Sequence, residues 1–290
     1  MKEISVMIKN GIWLYGAEII NKILLFMFIV YLARVLGDVN FGVYSFAVSF
    51  TTIFLSLINI GMNTYLIREG ARDINKIKEY FGNMLMWKVI FSCITFLLVF
   101  SLLKIMNYSN TTIYITIIFL IYVIIGAFNN LFVMVFRVYQ KMEYEAIVSV
   151  LENVFLVIVG SIMLYMGKSL IVISYVYLIG IFLTLLVSMT LVYLKFIDFK
   201  IKINREQFVY VLKNSYPFAL IVIFMYVYFK IDIIMLSIME GDAVTGWYAA
   251  ATRYVYLLLQ IPVIFTTVIF PQMTKKFLEK KSDLREIYTV

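Results

Sequence analysis

The chain has 290 residues, 63% hydrophobic and 14% charged, with a mean hydropathy of +0.96 and a formal net charge of +8. A soluble domain is about 45–50% apolar and about 25% charged. This chain carries more apolar surface than a water-soluble core can hide, so lipid must be its solvent. It therefore reads as an all-α, polytopic membrane helical bundle. Histidine is absent and Cys93 is the single cysteine. That composition excludes disulfides, thiolate or imidazole metal sites and Ser-His or Cys-His nucleophile pairs, leaving carboxylates as the acid–base groups. No cofactor and no metal are expected.

In chain order, the N-terminal "MKEISVMIKNGIW" lacks a short apolar core followed by small residues, so it reads as a retained amphipathic lead-in to the first span. A membrane-crossing helix needs about 20 mostly apolar residues. Eight such spans are expected: 11–36, 41–67, 81–103, 112–136, 145–166, 170–195, 209–238 and 243–270. Pro262 is expected to kink the eighth. The connections differ sharply in charge. Eighteen Lys and Arg lie on one side, in the segments around Lys9, Arg72, Arg137, Lys200 and Lys276, against Arg34, Lys104 and Lys168 on the other. By the positive-inside rule both termini of this chain face the cytoplasm, and the basic balance marks topology rather than a nucleic-acid partner. The longest cytoplasmic connection, "KFIDFKIKINREQF", alternates apolar and basic residues, as suits a segment lying on an anionic inner membrane surface.

One short pattern occurs twice. "LGDVNFGVYSFA" begins at Leu36 and "EGDAVTGWYAAA" at Glu240, so Gly-Asp-x-x-x-Gly-x-Tyr recurs as Gly37, Asp38, Gly42, Tyr44 and as Gly241, Asp242, Gly246, Tyr248. The offset is 204 residues, and it also aligns Ile29 with Ile233, Leu32 with Leu236 and Ala47 with Ala251. Each copy lies between the first two spans of an expected half. Six spans separate the copies, so the halves share one orientation, as in transporters built from parallel repeats with the binding site between them. Turn chemistry used twice is the plainer alternative.

The stretches "YLARVLGDVNFGVYSFA", "IGMNTYLIREGARD" and "YFKIDIIMLSIMEGDAVTGWYAAATR" resemble the polysaccharide flippases (Wzx type) of the multidrug/oligosaccharidyl-lipid/polysaccharide (MOP) exporter superfamily. The resemblance implies two six-helix lobes around a cavity that opens to alternate sides of the membrane. It also implies, as substrate, a polyprenyl phosphate or pyrophosphate bearing an oligosaccharide, moved from the cytoplasmic to the outer leaflet of the cell membrane. On this reading residues 1–204 are the N-terminal lobe. Residues 205–290 are the first two helices of a C-terminal lobe, and the chain is expected to be a fragment.

Charges inside spans are costly and mark cavities or partners. Lys22, Lys88, Lys230 and Arg253 are the candidate substrate-binding cations, suited to phosphate oxygens through charge-assisted hydrogen bonds. Glu18, Glu152 and Asp232 are candidates for balancing those charges or for binding a coupling proton or sodium ion. Several polar stripes share a helix face by spacing: Glu18, Asn21 and Lys22; Lys88, Ser92 and Thr95; Glu145, Ser149, Glu152 and Asn153. The alternative for Glu18 with Lys22 is an intrahelical ion pair, and for Lys88 snorkelling to the interface. Asn59, Asn63, Asn129 and Asn130 read as interhelical hydrogen-bond partners.

Competing functions are a peptidoglycan-precursor flippase, a drug/cation antiporter, and a membrane glycosyltransferase or polymerase. An enzyme is disfavoured because Asp38 and Asp242 sit in turns too short to build a site. Expected partners are the bilayer, the lipid-linked oligosaccharide, a coupling ion and glycan-assembly enzymes.

Overall fold

The computed structural model describes residues 2–197 and 205–259. The basic tail, Pro262 with the second half of the eighth expected span, and the middle of the "KFIDFKIKINREQF" connection lie outside them. The chain divides into two compact units, Met1–Trp247 and Tyr248–Val290.

The described residues form α-helices joined by tight turns, with no strand among them: α1 (Lys2–Asn59), α2 (Met62–Arg72), α3 (Ile77–Ile105), α4 (Asn110–Val138), α5 (Met142–Tyr165), α6 (Leu170–Lys195), α7 (Arg205–Met239) and α8 (Asp242–Leu258). Helix is what lipid demands, because every backbone N–H and C=O must find its partner within the segment. Among the described residues, six helical elements are long and apolar enough to cross a membrane. The first, Lys9–Arg72, holds both expected spans 11–36 and 41–67, and a kink at Gly37, whose φ of 73° and ψ of 176° are not helical, separates the two.

The second expected span, 41–67, is not one continuous helix. Ile60 (φ 35°) and Gly61 (φ 69°) interrupt the helix between α1 and α2. A β-branched residue at positive φ is a sterically costly conformation that surrounding structure must hold in place. Elsewhere the turns follow ordinary end chemistry. Ser109 caps α4 by accepting the Thr112 N–H at 3.2 Å. After α5, Gly167 takes a left-handed conformation, with its N–H on the Leu164 carbonyl (2.9 Å) and that of Lys168 on Met163 (3.0 Å).

Within the first unit, small residues let helices approach closely, the usual solution where lipid offers no hydrophobic drive for association. Gly160 of α5 faces the Phe28 ring of α1, and Gly180 of α6 faces Phe155 of α5. Buried hydroxyls return to their own helix: Thr51 to Ala47, Thr116 to Thr112 and Ser174 to Leu170, at 2.7, 2.7 and 2.9 Å. Leu97, Tyr165, Leu194 and Phe224 are among the exposed apolar side chains, on surface that lipid would cover.

Candidate functional site

A cavity of about 310 Å³ opens between the second half of α1, α4, α5 and α6. Thr52 and Leu55 come from α1; Tyr122, Val123, Asn129, Asn130 and Val133 from α4; Glu145, Val148, Ser149 and Glu152 from α5; and Ile181 from α6. Of the expected stripe Glu145, Ser149, Glu152 and Asn153, the first three line the cavity, as their i, i+4 and i+7 spacing allows, while Asn153 is outside the lining and donates to the Ser149 carbonyl at 3.0 Å. Glu152 accepts a hydrogen bond from the Tyr122 hydroxyl at 3.2 Å. Glu145 is held bidentately by Arg137, at 2.8 and 2.6 Å, so its charge is matched at the edge of the cavity. Asn129, 7% exposed, accepts from Ser188 Oγ at 2.6 Å and ties α4 to α6. Ser149 accepts from Asn21 Nδ2 at 3.2 Å, which ties α5 to α1.

The sequence candidates are distributed unevenly about this cavity. Glu152 lines it. Lys22 forms an ion pair with Glu18 at 2.5 Å, one turn apart on α1, with both side chains partly exposed. Lys88 is fully buried and does not snorkel. Its ammonium donates to Asn59 Oδ1 at 2.5 Å and to the Ala127 carbonyl at 2.9 Å, pinning α3 to α1 and α4. Its stripe partners Ser92 and Thr95 are also buried, and their hydroxyls have no hydrogen-bond partner among the described residues. Lys230 and Asp232 are half-buried on α7, where Asp232 Oδ1 accepts the Ile233 N–H at 2.8 Å. Arg253 lies on α8 in the second unit. None of Lys22, Lys88 and Lys230 lines the cavity.

Two features went unread in the sequence. Tyr122 belongs to an aromatic group with Tyr44, Phe119 and Tyr177, in which the Tyr44 and Tyr177 hydroxyls meet at 2.8 Å. Only the tertiary fold brings these rings together, because they come from α1, α4 and α6. The second is the contact made by the repeated motif. A Cβ at Gly42 would overlap the backbone carbonyl of Asp242, and one at Gly246 would overlap that of Asp38. Gly37 and Gly241, the first glycines of the two copies, both take positive φ, at 73° and 82°. The two copies thus share backbone conformation at the turn and press against each other in reciprocal fashion. Reciprocal contact of equivalent residues is what a two-fold relationship produces.

Residues 7–277 match the family model described as "Polysaccharide biosynthesis protein". Among solved structures, a MOP superfamily transporter from Pyrococcus furiosus Vc1 (DSM3638), whose binding pocket is described as having reverse polarity, aligns over 96% of this chain and 73% of its own. The TM-score is 0.45 and the identity 16%. No curated protein matches. With the family model covering nearly its whole length and multiple apolar helices to cross the bilayer, the chain is a multi-pass membrane protein that belongs to the polysaccharide biosynthesis protein family.

Proposed function

We propose that the protein flips a polyprenyl-phosphate- or pyrophosphate-linked oligosaccharide from the cytoplasmic to the outer leaflet of the cell membrane by alternating access. The observation that carries this reading is the reciprocal packing of the two Gly-Asp-x-x-x-Gly copies. It supports a parallel duplication, with residues 1–204 as one lobe and 205–290 as the start of a second, and a substrate path between them. In such a path the sugar and phosphate pass through a hydrated cleft while the polyprenyl tail stays in lipid. No covalent chemistry is needed.

Lys22, Lys230 and Arg253 are the cations that would meet the phosphate oxygens in the cleft. Lys88, enclosed by Asn59 and Ala127, would add a positive field from inside the bundle rather than a direct contact. Glu18 and Asp232 would balance the cleft cations when no substrate is bound. Glu152, in its own cavity, would take the coupling proton or sodium ion on the return half of the cycle. Both termini of the chain would face the cytoplasm, where glycan-assembly enzymes deliver the substrate.

The test is flipping of a carrier-linked oligosaccharide by the full chain in proteoliposomes, read by lectin access to the outer leaflet. Lys230→Ala and Arg253→Ala are expected to abolish flipping while reconstituting normally. Normal flipping by both variants would remove the cleft assignment. Export of a lipophilic cationic dye, with no movement of the glycolipid, would replace the flippase with a drug/cation antiporter.

A further inference from the structure

The cavity between α1, α4, α5 and α6 is chemically unlike the cleft cations. Its lining contains no Lys or Arg. It offers the Glu152 carboxylate, the Tyr122 hydroxyl, the amides of Asn129 and Asn130 and the Ser149 hydroxyl, set among apolar Leu55, Val123 and Ile181. Glu145 is neutralised by Arg137, so Glu152 is the carboxylate in the lining without a cation on it among the contacts described. Asn129 spends its oxygen on Ser188, which leaves its Nδ2 as a donor, and Asn130 sits beside it on the same wall.

Mixed donors and acceptors over an apolar wall suit a pyranose ring, which shows hydroxyls at its rim and C–H groups on its faces. They do not suit a phosphate, which carries negative charge and accepts hydrogen bonds without donating them. Pockets of about 300 Å³ lie at the small end of the range that holds a discrete ligand, so one sugar unit rather than a whole oligosaccharide is the fit.

We infer that this cavity is a sugar subsite that takes one uncharged or amino-bearing ring of the glycan and rejects a uronic acid at that ring, with the phosphates left to cations outside it. The inference rests on the flippase reading and deepens it by naming what the glycan must carry. A hydroxyl or ammonium of the ring donates to Glu152, and the amides of Asn129 and Asn130 donate to ring oxygens. A carboxylate on the ring would lie beside Glu152 with no cation in the lining, and two carboxylates in one apolar cavity cannot both ionise, so such a ring would have to take up a proton to enter. Such juxtaposition is a common source of discrimination between otherwise similar ligands.

The experiment compares two glycolipids in proteoliposomes holding the full chain. Both carry the same polyprenyl pyrophosphate, one bearing a trisaccharide of neutral hexoses and the other the same trisaccharide with one hexuronic acid. The wild-type protein is expected to flip the neutral compound about tenfold faster. Glu152→Gln, whose amide oxygen can still accept from Tyr122, is expected to bring the affinities of the solubilised chain for the two compounds within about twofold, a readout that does not depend on ion coupling. Asn130→Leu is expected to weaken binding of the neutral compound. Equal wild-type rates, or an affinity ratio that Glu152→Gln leaves unchanged, overturn the subsite while the flippase reading stands. If the wild-type protein moves neither compound, the flippase reading fails and the subsite is judged by binding of the same two glycolipids to the solubilised chain. Tighter binding of the neutral compound, lost in Glu152→Gln, supports it, and equal or absent binding overturns it.

Discussion

Gly42 lies directly against the backbone carbonyl of Asp242, with no room between them for a side chain. The same relationship holds between Gly246 and Asp38, and the same 204-residue offset carries Gly42 to Gly246 and Asp38 to Asp242. The recurrence of the motif therefore has a mechanical meaning beyond turn chemistry. Each copy supplies the glycine that lets the other copy's backbone come close. A contact of this kind has no flexible side chain to adjust, so a side chain added at either glycine must displace backbone.

Replacing Gly42 with Leu should hold that contact open. Thr245 is fully buried next to Gly246 and makes a suitable reporter. In a Cys93→Ser background, Thr245→Cys should resist a membrane-impermeant maleimide, and adding Gly42→Leu should make it react. Gly16→Ala is the control, since a Cβ there meets nothing within 4 Å. Equal labelling in all three backgrounds would show that the contact does not close this surface.

Lys88 should behave as a structural pin. Asn59→Ala removes one of its two acceptors and is expected to destabilise the protein by about 1–3 kcal/mol, read as a lower unfolding temperature in detergent. Lys88→Met replaces the buried charge by an apolar chain of similar length and should unfold later than Asn59→Ala. The reverse order would mean that the charge itself holds α3 in place.

The close approach of α1 and α5 gives a packing test. A Cβ at Gly160 would come within 2.7 Å of the Phe28 ring, and Phe28 is 1% exposed with little space to retreat. Gly160→Ala should cost about 1–3 kcal/mol of stability. Combining it with Phe28→Leu should cost less than the sum of the two single changes, because the pair shares one contact. Simple additivity in thermal unfolding would show that the ring moves freely aside.

Orientation can be checked at two turns. In the Cys93→Ser background, a cysteine at Lys168, after α5, should react from outside intact cells. A cysteine at Lys141, between α4 and α5, should react only after permeabilisation. The opposite pattern would invert the proposed direction of transport.

Much of this architecture was legible in the sequence because lipid leaves few options. Apolar length located the helices, and the i, i+4, i+7 spacing of Glu145, Ser149 and Glu152 located the polar face of α5 before any neighbour was known. Hydropathy could not locate the break at Ile60 and Gly61, because a positive φ leaves the mean hydropathy of a window unchanged. Nor could it decide the fate of the in-membrane cations. Lys22 and Lys88 look alike as isolated charges in apolar segments, yet one pairs with a carboxylate a turn away on its own helix and the other reaches two different helices.

By itself, the sequence determined that this is an all-helical membrane protein, that it contains a repeated motif, and which residue types are available for chemistry. Those properties follow from composition and from spacing along single helices, which are local quantities. The tertiary structure decided that the two motif copies meet reciprocally, that Tyr122 belongs to Glu152, and that two carboxylates but no Lys or Arg line the cavity. Each of these is a distance between segments far apart in the chain. Such distances are set by how helices pack, and no local pattern encodes them.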